Sequence, residues 1–95
     1  MMNRAQAVAW LRSVGCNAEA RDWAMGQTIM ITIGKPQVVK DIAIYAGIVY
    51  LYPFKAGGWN LLDYSQRGAE VHYDDLESAV RGAHEYVARI EAALP

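Results

Sequence analysis

Residues 42–64, IAIYAGIVYLYPFKAGGWNLLDY, hold the densest run of β-branched and aromatic side chains in the chain. Such residues fit a pleated, half-buried surface. Two small-residue breaks, Ala46-Gly47 and Ala56-Gly57-Gly58, divide the run into three strand-sized pieces. Alternation along it gives two faces, and both are apolar. Ala43, Tyr45, Val49 and Leu51 fall on one, and Ile42, Ile44, Ile48, Tyr50, Tyr52 and Phe54 on the other. A two-layer domain ordinarily covers one sheet face with helices and leaves the other polar. A chain with this stretch at its centre has to build a sheet whose second face is too apolar to be left in water.

Helical periodicity brackets that sheet. Asn3 is a helix cap with Gln6 three residues on, a capping-box spacing. Ala7, Trp10, Leu11 and Val14 then recur on one face, and Gly15 stands where a left-handed cap ends a helix over residues 4–14. The second helix is the plainest element in the chain. Asp74 reads as its N-cap with Glu77 completing a capping box. Leu76, Ala79, Val80, Ala83, Val87, Ile90 and Leu94 form a stripe at three- and four-residue steps, which predicts a helix over residues 75–93. Gly82 within it costs roughly 1 kcal/mol against alanine. Its presence points to a close approach between this helix and whatever it covers.

Between the helices the signals are strands. Residues 17–25 satisfy helix propensity through Ala18, Glu19, Ala20, Arg21 and Ala24, yet they also alternate as an edge strand ending at Met25-Gly26. TIMITI (residues 28–33) alternates threonine and methionine against isoleucine, and Gly34-Lys35-Pro36 ends it. Residues 37–45 read as one strand with Lys40-Asp41 as a polar interruption. Residues 59–64 form another strand, Ser65-Gln66-Arg67-Gly68 a turn, and residues 69–73 a last short strand. Short sequential strands imply an antiparallel meander. The expected fold is α+β: a two-layer sandwich with an N-terminal helix, four or five antiparallel strands and a C-terminal helix on one sheet face.

At 95 residues the chain is one domain with a single core. Its 54 % hydrophobic content excludes disorder, and a net charge of −1 offers nucleic acid no general attraction. The lone Cys16 cannot form an internal disulfide, and no stretch reaches the length of a membrane helix. The N-terminus lacks a signal-peptide run, so a cytoplasmic location is the expectation. Cys16 follows a helix C-terminus, where the dipole raises a thiol pKa, so it reads as a small buried hydrophobe.

No catalytic or metal-ligating constellation emerges. His72 and His84 are twelve residues apart with Asp74 and Asp75 between them and no cysteine nearby, which is not metal-ligand spacing. Ser13, Ser65 and Ser78 lack a nucleophile motif, and Gly57-Gly58 lacks a phosphate-loop pattern. Asp63 with Glu70, Asp74 or Asp75 makes carboxylate pairs of the kind any acidic turn region contains. The expectation is a non-enzyme without cofactor or metal.

Charge and aromatics point instead to binding. Residues 1–62 carry six bases against three acids, whereas residues 63–95 carry seven acids against three bases. Such a run ordinarily marks a solvated face, but it can also steer a basic partner. Seven of the ten aromatics fall between residues 45 and 73. Some belong to cross-strand packing, and the rest suit an interface, where tyrosine and tryptophan are enriched. The expected contact surface joins Tyr50, Tyr52, Trp59 and Tyr64 with Asp63, Glu70, Asp74, Asp75 and Glu77.

The Gly58-Trp59-x-Leu61-x-Asp63 strand, a turn and the Asp75-Leu76-Glu77-x-Ala79-Val80 helix start resemble small bacterial immunity proteins over residues 58–90. The resemblance implies an inhibitor that binds and neutralises a basic toxin, often a nuclease. The helix–strands–helix order also resembles double-stranded-RNA-binding domains, and three strands with a helix resemble integrase arm-binding domains. Those modules need bases where this chain has Asp74, Asp75 and Glu77, which makes nucleic acid a disfavoured partner. A self-associating subunit, with a second copy against the aromatic face, is the remaining alternative.

Overall fold

The computed structural model of the chain describes residues 1–64 and 69–94. Helix α1 spans Arg4–Ser13. Asn3 and Gln6 close the capping box reciprocally: Gln6 N–H donates to Asn3 Oδ1 at 2.8 Å and Asn3 N–H to Gln6 Oε1 at 2.9 Å. Gly15 takes a φ of +92°, and Cys16 N–H returns to the Leu11 carbonyl. The chain thus reverses where a residue without Cβ permits the left-handed conformation.

Strand β1 (Asn17–Trp23) pairs antiparallel with β2 (Gly26–Ile33) over seven residue pairs from Asn17↔Thr32 to Trp23↔Gly26. Tertiary pairing thus overrides the helix propensity of residues 17–25, and the segment lies at the sheet edge. The turn is Ala24-Met25, because Gly26 (φ +100°) already opens β2. Ile29, Ile31 and Ile33 are fully buried on one side of β2, as its alternation predicts.

Residues 37–45 do not form one strand. Strands β3 (Gln37–Val39) and β4 (Ile42–Ile44) make a separate two-stranded hairpin. Lys40 (φ 52°) and Asp41 (φ 65°) both adopt left-handed backbone. Two consecutive such residues make the two-residue loop whose twist suits a hairpin. The polar pair is therefore the turn itself. Ile42 and Ile44 leave the central sheet with it, and they are 65 % and 51 % exposed.

Strand β5 (Gly47–Pro53) pairs with β2 on one side and β6 (Trp59–Asp63) on the other, and β7 (Ala69–Tyr73) completes the order β1-β2-β5-β6-β7. All neighbours are antiparallel and consecutive apart from the inserted hairpin. The turn expected at Ser65-Gln66-Arg67-Gly68 lies outside the described residues. Helix α2 (Leu76–Ala93) is capped by Asp75, whose carboxylate accepts from Ser78 N–H at 2.7 Å. Asp74, expected as the cap, lies one position too early. No helix of the described residues is long and apolar enough to cross a membrane.

Both helices cover one sheet face. Ala7, Val8 and Leu11 of α1 and Leu76, Ala79, Val80, Ala83 and Val87 of α2 join Ala18, the three β2 isoleucines, Val49, Leu51 and Leu61 in one core. Cys16 is buried in it, and burial pushes its thiol pKa up, helped by the charge of Glu91. Gly82 explains itself at this interface. A Cβ there would lie 2.2 Å from Tyr73 Oη and 2.4 Å from Cζ, so the phenol ring occupies that space.

Gly82→Ala should destabilise the fold by about 1–3 kcal/mol through overpacking, against the ~1 kcal/mol that alanine gains in a helix. In a Tyr73→Ala background the same substitution should become stabilising. Urea unfolding of the four proteins measures this coupling, and additive effects would mean the contact is absent.

Candidate recognition surface

The nine residues expected to form one surface are distributed by strand alternation over three places. Tyr50, Tyr52, Tyr64 and Glu70 lie on the sheet face away from the helices. The register pairs Met30 with Tyr50, Tyr50 with Leu62, and Leu62 with Glu70, so these residues share that side across β2, β5, β6 and β7. Trp23, at the end of β1, joins them. Its ring meets Tyr50 edge-on at 5.2 Å between centroids, and Tyr50 meets Tyr64 edge-on at 6.1 Å. Tyr50 is buried in the middle of this ladder, whereas Trp23 is 46 % and Tyr64 70 % exposed. Burial raises the Tyr50 hydroxyl pKa.

A polar network continues the face toward β7. Tyr52 donates to Glu70 Oε2 at 2.5 Å, and Asn60 Nδ2 donates to the same oxygen at 2.9 Å. With its amino group so engaged, Asn60 presents Oδ1 to His72 Nδ1 at 2.7 Å. An amide oxygen only accepts, so Nδ1 carries the proton and Nε2 is left toward Asp74, 3.8 Å away. The Tyr52 bond, followed by the Asn60 bond, holds the Glu70 carboxyl below its ordinary range, and the Glu70 bond followed by burial holds Tyr52 above its own. Phe54 stands edge-on to His72 at 5.4 Å.

Asp63 and Trp59 face the other way. They share parity with Leu61, which is core, so alternation carries both under α2. Asp63 is fully buried and accepts a hydrogen bond from Tyr86 of that helix. It belongs to the core and is not available to a partner. Burial, then the Asp63 bond, pushes the Tyr86 hydroxyl up to about 12.

Trp59 is half-buried and lines a groove of about 450 Å³ at the mouth of α2, together with Met2, Gly58 and Leu76. Asp74, Asp75 and Glu77 rim it. Asp75 is engaged in the helix cap, and the Ser78 backbone and side-chain bonds lower its pKa. Thus four expected residues make an open face, four make a groove, and Asp63 joins neither.

Trp23, Phe54, Asn60 and His72 also belong to the open face. Alternation from Tyr50 and Tyr52 marks their side of the sheet once the register is known. Among the described residues, no group of three or more histidine, cysteine or acidic side chains is placed to hold a metal. Family models, curated proteins and solved structures give no match to this chain. Its own geometry therefore carries the functional reading.

Two measurements check the network. Tyr52→Phe removes the larger cause of the low Glu70 pKa, so an NMR titration should show that carboxyl moving up toward its ordinary value. An unmoved Glu70 would mean that the Tyr52 contact is not made in solution. Tyr86→Phe removes one bond to a buried carboxylate and should cost about 1–3 kcal/mol near neutrality. Tyr86 titrates higher folded (about 12) than unfolded (about 10), so its contribution is complete below pH 10. It fades as pH rises from 10 through 12. Wild type should lose stability across that window more steeply than Tyr86→Phe.

Proposed function

We propose that this chain is a protein-binding module of the immunity type, which neutralises a basic toxin or enzyme through the open sheet face. The observation that carries this reading is the ladder Trp23–Tyr50–Tyr64 on the face opposite both helices, whose two outer rings are exposed. Two edge-to-face contacts hold the rings before any partner arrives, so little side-chain entropy remains to be lost on binding. Trp23 and Tyr64 stay exposed on either side of the buried Tyr50, and exposed large aromatics grouped in this way favour an interaction site. Glu70 stands beside the ladder with its charged form stabilised by two donors. Asp74 follows past His72, and with Glu70 it favours a basic partner at this edge of the face.

The test starts from protein captured by the immobilised chain and then follows binding kinetics. Tyr64→Ala and Trp23→Ala, both at exposed positions, should each cost ~2 kcal/mol or more, mainly as faster dissociation. Glu70→Lys and Asp74→Lys should slow association, most at low salt. A folded Trp23→Ala/Tyr64→Ala protein that binds like wild type would sink this reading.

A further inference from the structure

The hairpin of β3 and β4 stands apart from the five-stranded sheet, and every residue from Gln37 to Ile44 is exposed. It carries four large aliphatic side chains: Val38 (68 % exposed), Val39 (44 %), Ile42 (65 %) and Ile44 (51 %). The pairs Val39↔Ile42 and Gln37↔Ile44 put Val39, Ile42 and Ile44 on one side of the ribbon. An isolated two-stranded hairpin is marginal in water and needs a further layer against its apolar side. Two lysines, Lys35 at its base and Lys40 at its tip, outnumber the single Asp41. The arm is therefore apolar, basic and uncovered.

The groove at the mouth of α2 has the opposite character. Its floor is Met2, Trp59 and Leu76, and its rim has Asp74 and Glu77 exposed beyond the capping Asp75. Arm and groove lie at opposite ends of β5: the hairpin leads into Gly47, and Pro53 pairs with Trp59. Seven strand residues separate them by roughly 20 Å. A hairpin with three residue pairs, about 10 Å long, does not bridge that distance within one molecule.

We infer that the groove receives the arm of a second copy of this chain. Val39, Ile42 and Ile44 pack on Trp59, Leu76 and the pliable Met2, while the arm lysines face Asp74 and Glu77. Opposite charge selects this pairing over arm against arm, where lysines would meet lysines. The contact is heterologous, so each copy offers one arm and one groove, and association runs head to tail into a ring or an open chain. The inference does not rest on the open sheet face. It does place Asp74 at the edge of both surfaces, so a partner covering that residue competes with self-association.

Sedimentation velocity over a range of protein concentrations tests the contact. The full chain should grow in mass with concentration, and salt should weaken the growth. The arm variant Lys40→Asn/Ile42→Thr/Ile44→Thr keeps turn and strand preferences at exposed positions. The groove variant Asp74→Lys/Glu77→Lys leaves the Asp75 cap in place. Each alone should lose at least tenfold in self-association while its circular dichroism stays unchanged. Mixed in equal amounts, the two variants should form a one-to-one dimer and nothing larger, because one good arm meets one good groove. Three results would overturn the inference: a wild-type protein monomeric at every concentration, a groove variant that still self-associates, or a mixture that stays monomeric. Should the triple arm variant lose its fold, Lys35→Glu/Lys40→Glu takes its place in the same mixture.

Discussion

The structure depends on one row of side chains. Ala18, Ile31 and Val49 stand side by side on three neighbouring strands, and Ile29, Leu51 and Leu61 form a second rank beside them. None of these is more than 2 % exposed. Burying each large aliphatic side chain yields about 1.5–3 kcal/mol, and only a two-helix layer covers the whole row. α1 has a short apolar face of Ala7, Val8 and Leu11, so it covers the β1 end, and the longer stripe of α2 reaches across β5, β6 and β7. Arg4 fastens the first helix by bonding Asp22 and the Arg21 and Thr28 carbonyls. Both helices lie on this face, and among the described residues no other helix covers the opposite one, where the aromatic ladder lies.

Tyr73 links the core to the two surfaces. Its carbonyl lies where a Cβ on Gly58 would fall, at 2.3 Å, and its hydroxyl lies where a Cβ on Gly82 would fall. Two glycines, one in the β5–β6 turn and one in α2, thus grip the same residue from opposite sides. The close approach at Gly58 also brings its backbone against the His72 ring, which belongs to the polar network of the open face. Trp59, the next residue, forms the floor of the groove. Packing at Tyr73 therefore sets the relative position of the groove and the network, and strain at either glycine would reach both.

The two surfaces differ in how they are prepared for contact. On the open face, hydrogen bonds and ring contacts pre-position Tyr50, Tyr52, Asn60 and Glu70 before binding. The strand pairing of the arm, among the described residues, is limited to its own three residue pairs. A rigid face suits a partner of fixed shape, whereas such an arm gains order from the layer that covers it.

Local signals sufficed for much of this architecture. The Asn3–Gln6 capping box, the Gly15 reversal, the isoleucine face of β2, the 69–73 strand and the α2 stripe each depend on spacing within a few residues. The need for a close approach at Gly82 was legible too, because glycine within a strong helix pattern needs a packing reason. The identity of its neighbour, Tyr73, was not, since the two meet only after β7 and α2 dock. Asp74, with Glu77 three residues on, reads as the cap in the sequence, yet the helix starts one residue later and Asp75 caps it. Lys40-Asp41 reads as a polar interruption until both residues adopt left-handed backbone and turn the strand into an arm. Asp63 looks like part of an acidic surface run, yet its parity with Leu61 placed it against Tyr86. Composition and spacing alone determined an α+β chain with two amphipathic helices and a surplus of aromatic strand surface. Which aromatics are covered, and which acids face water, was decided by sheet register and helix docking, because those bring together residues far apart in the chain.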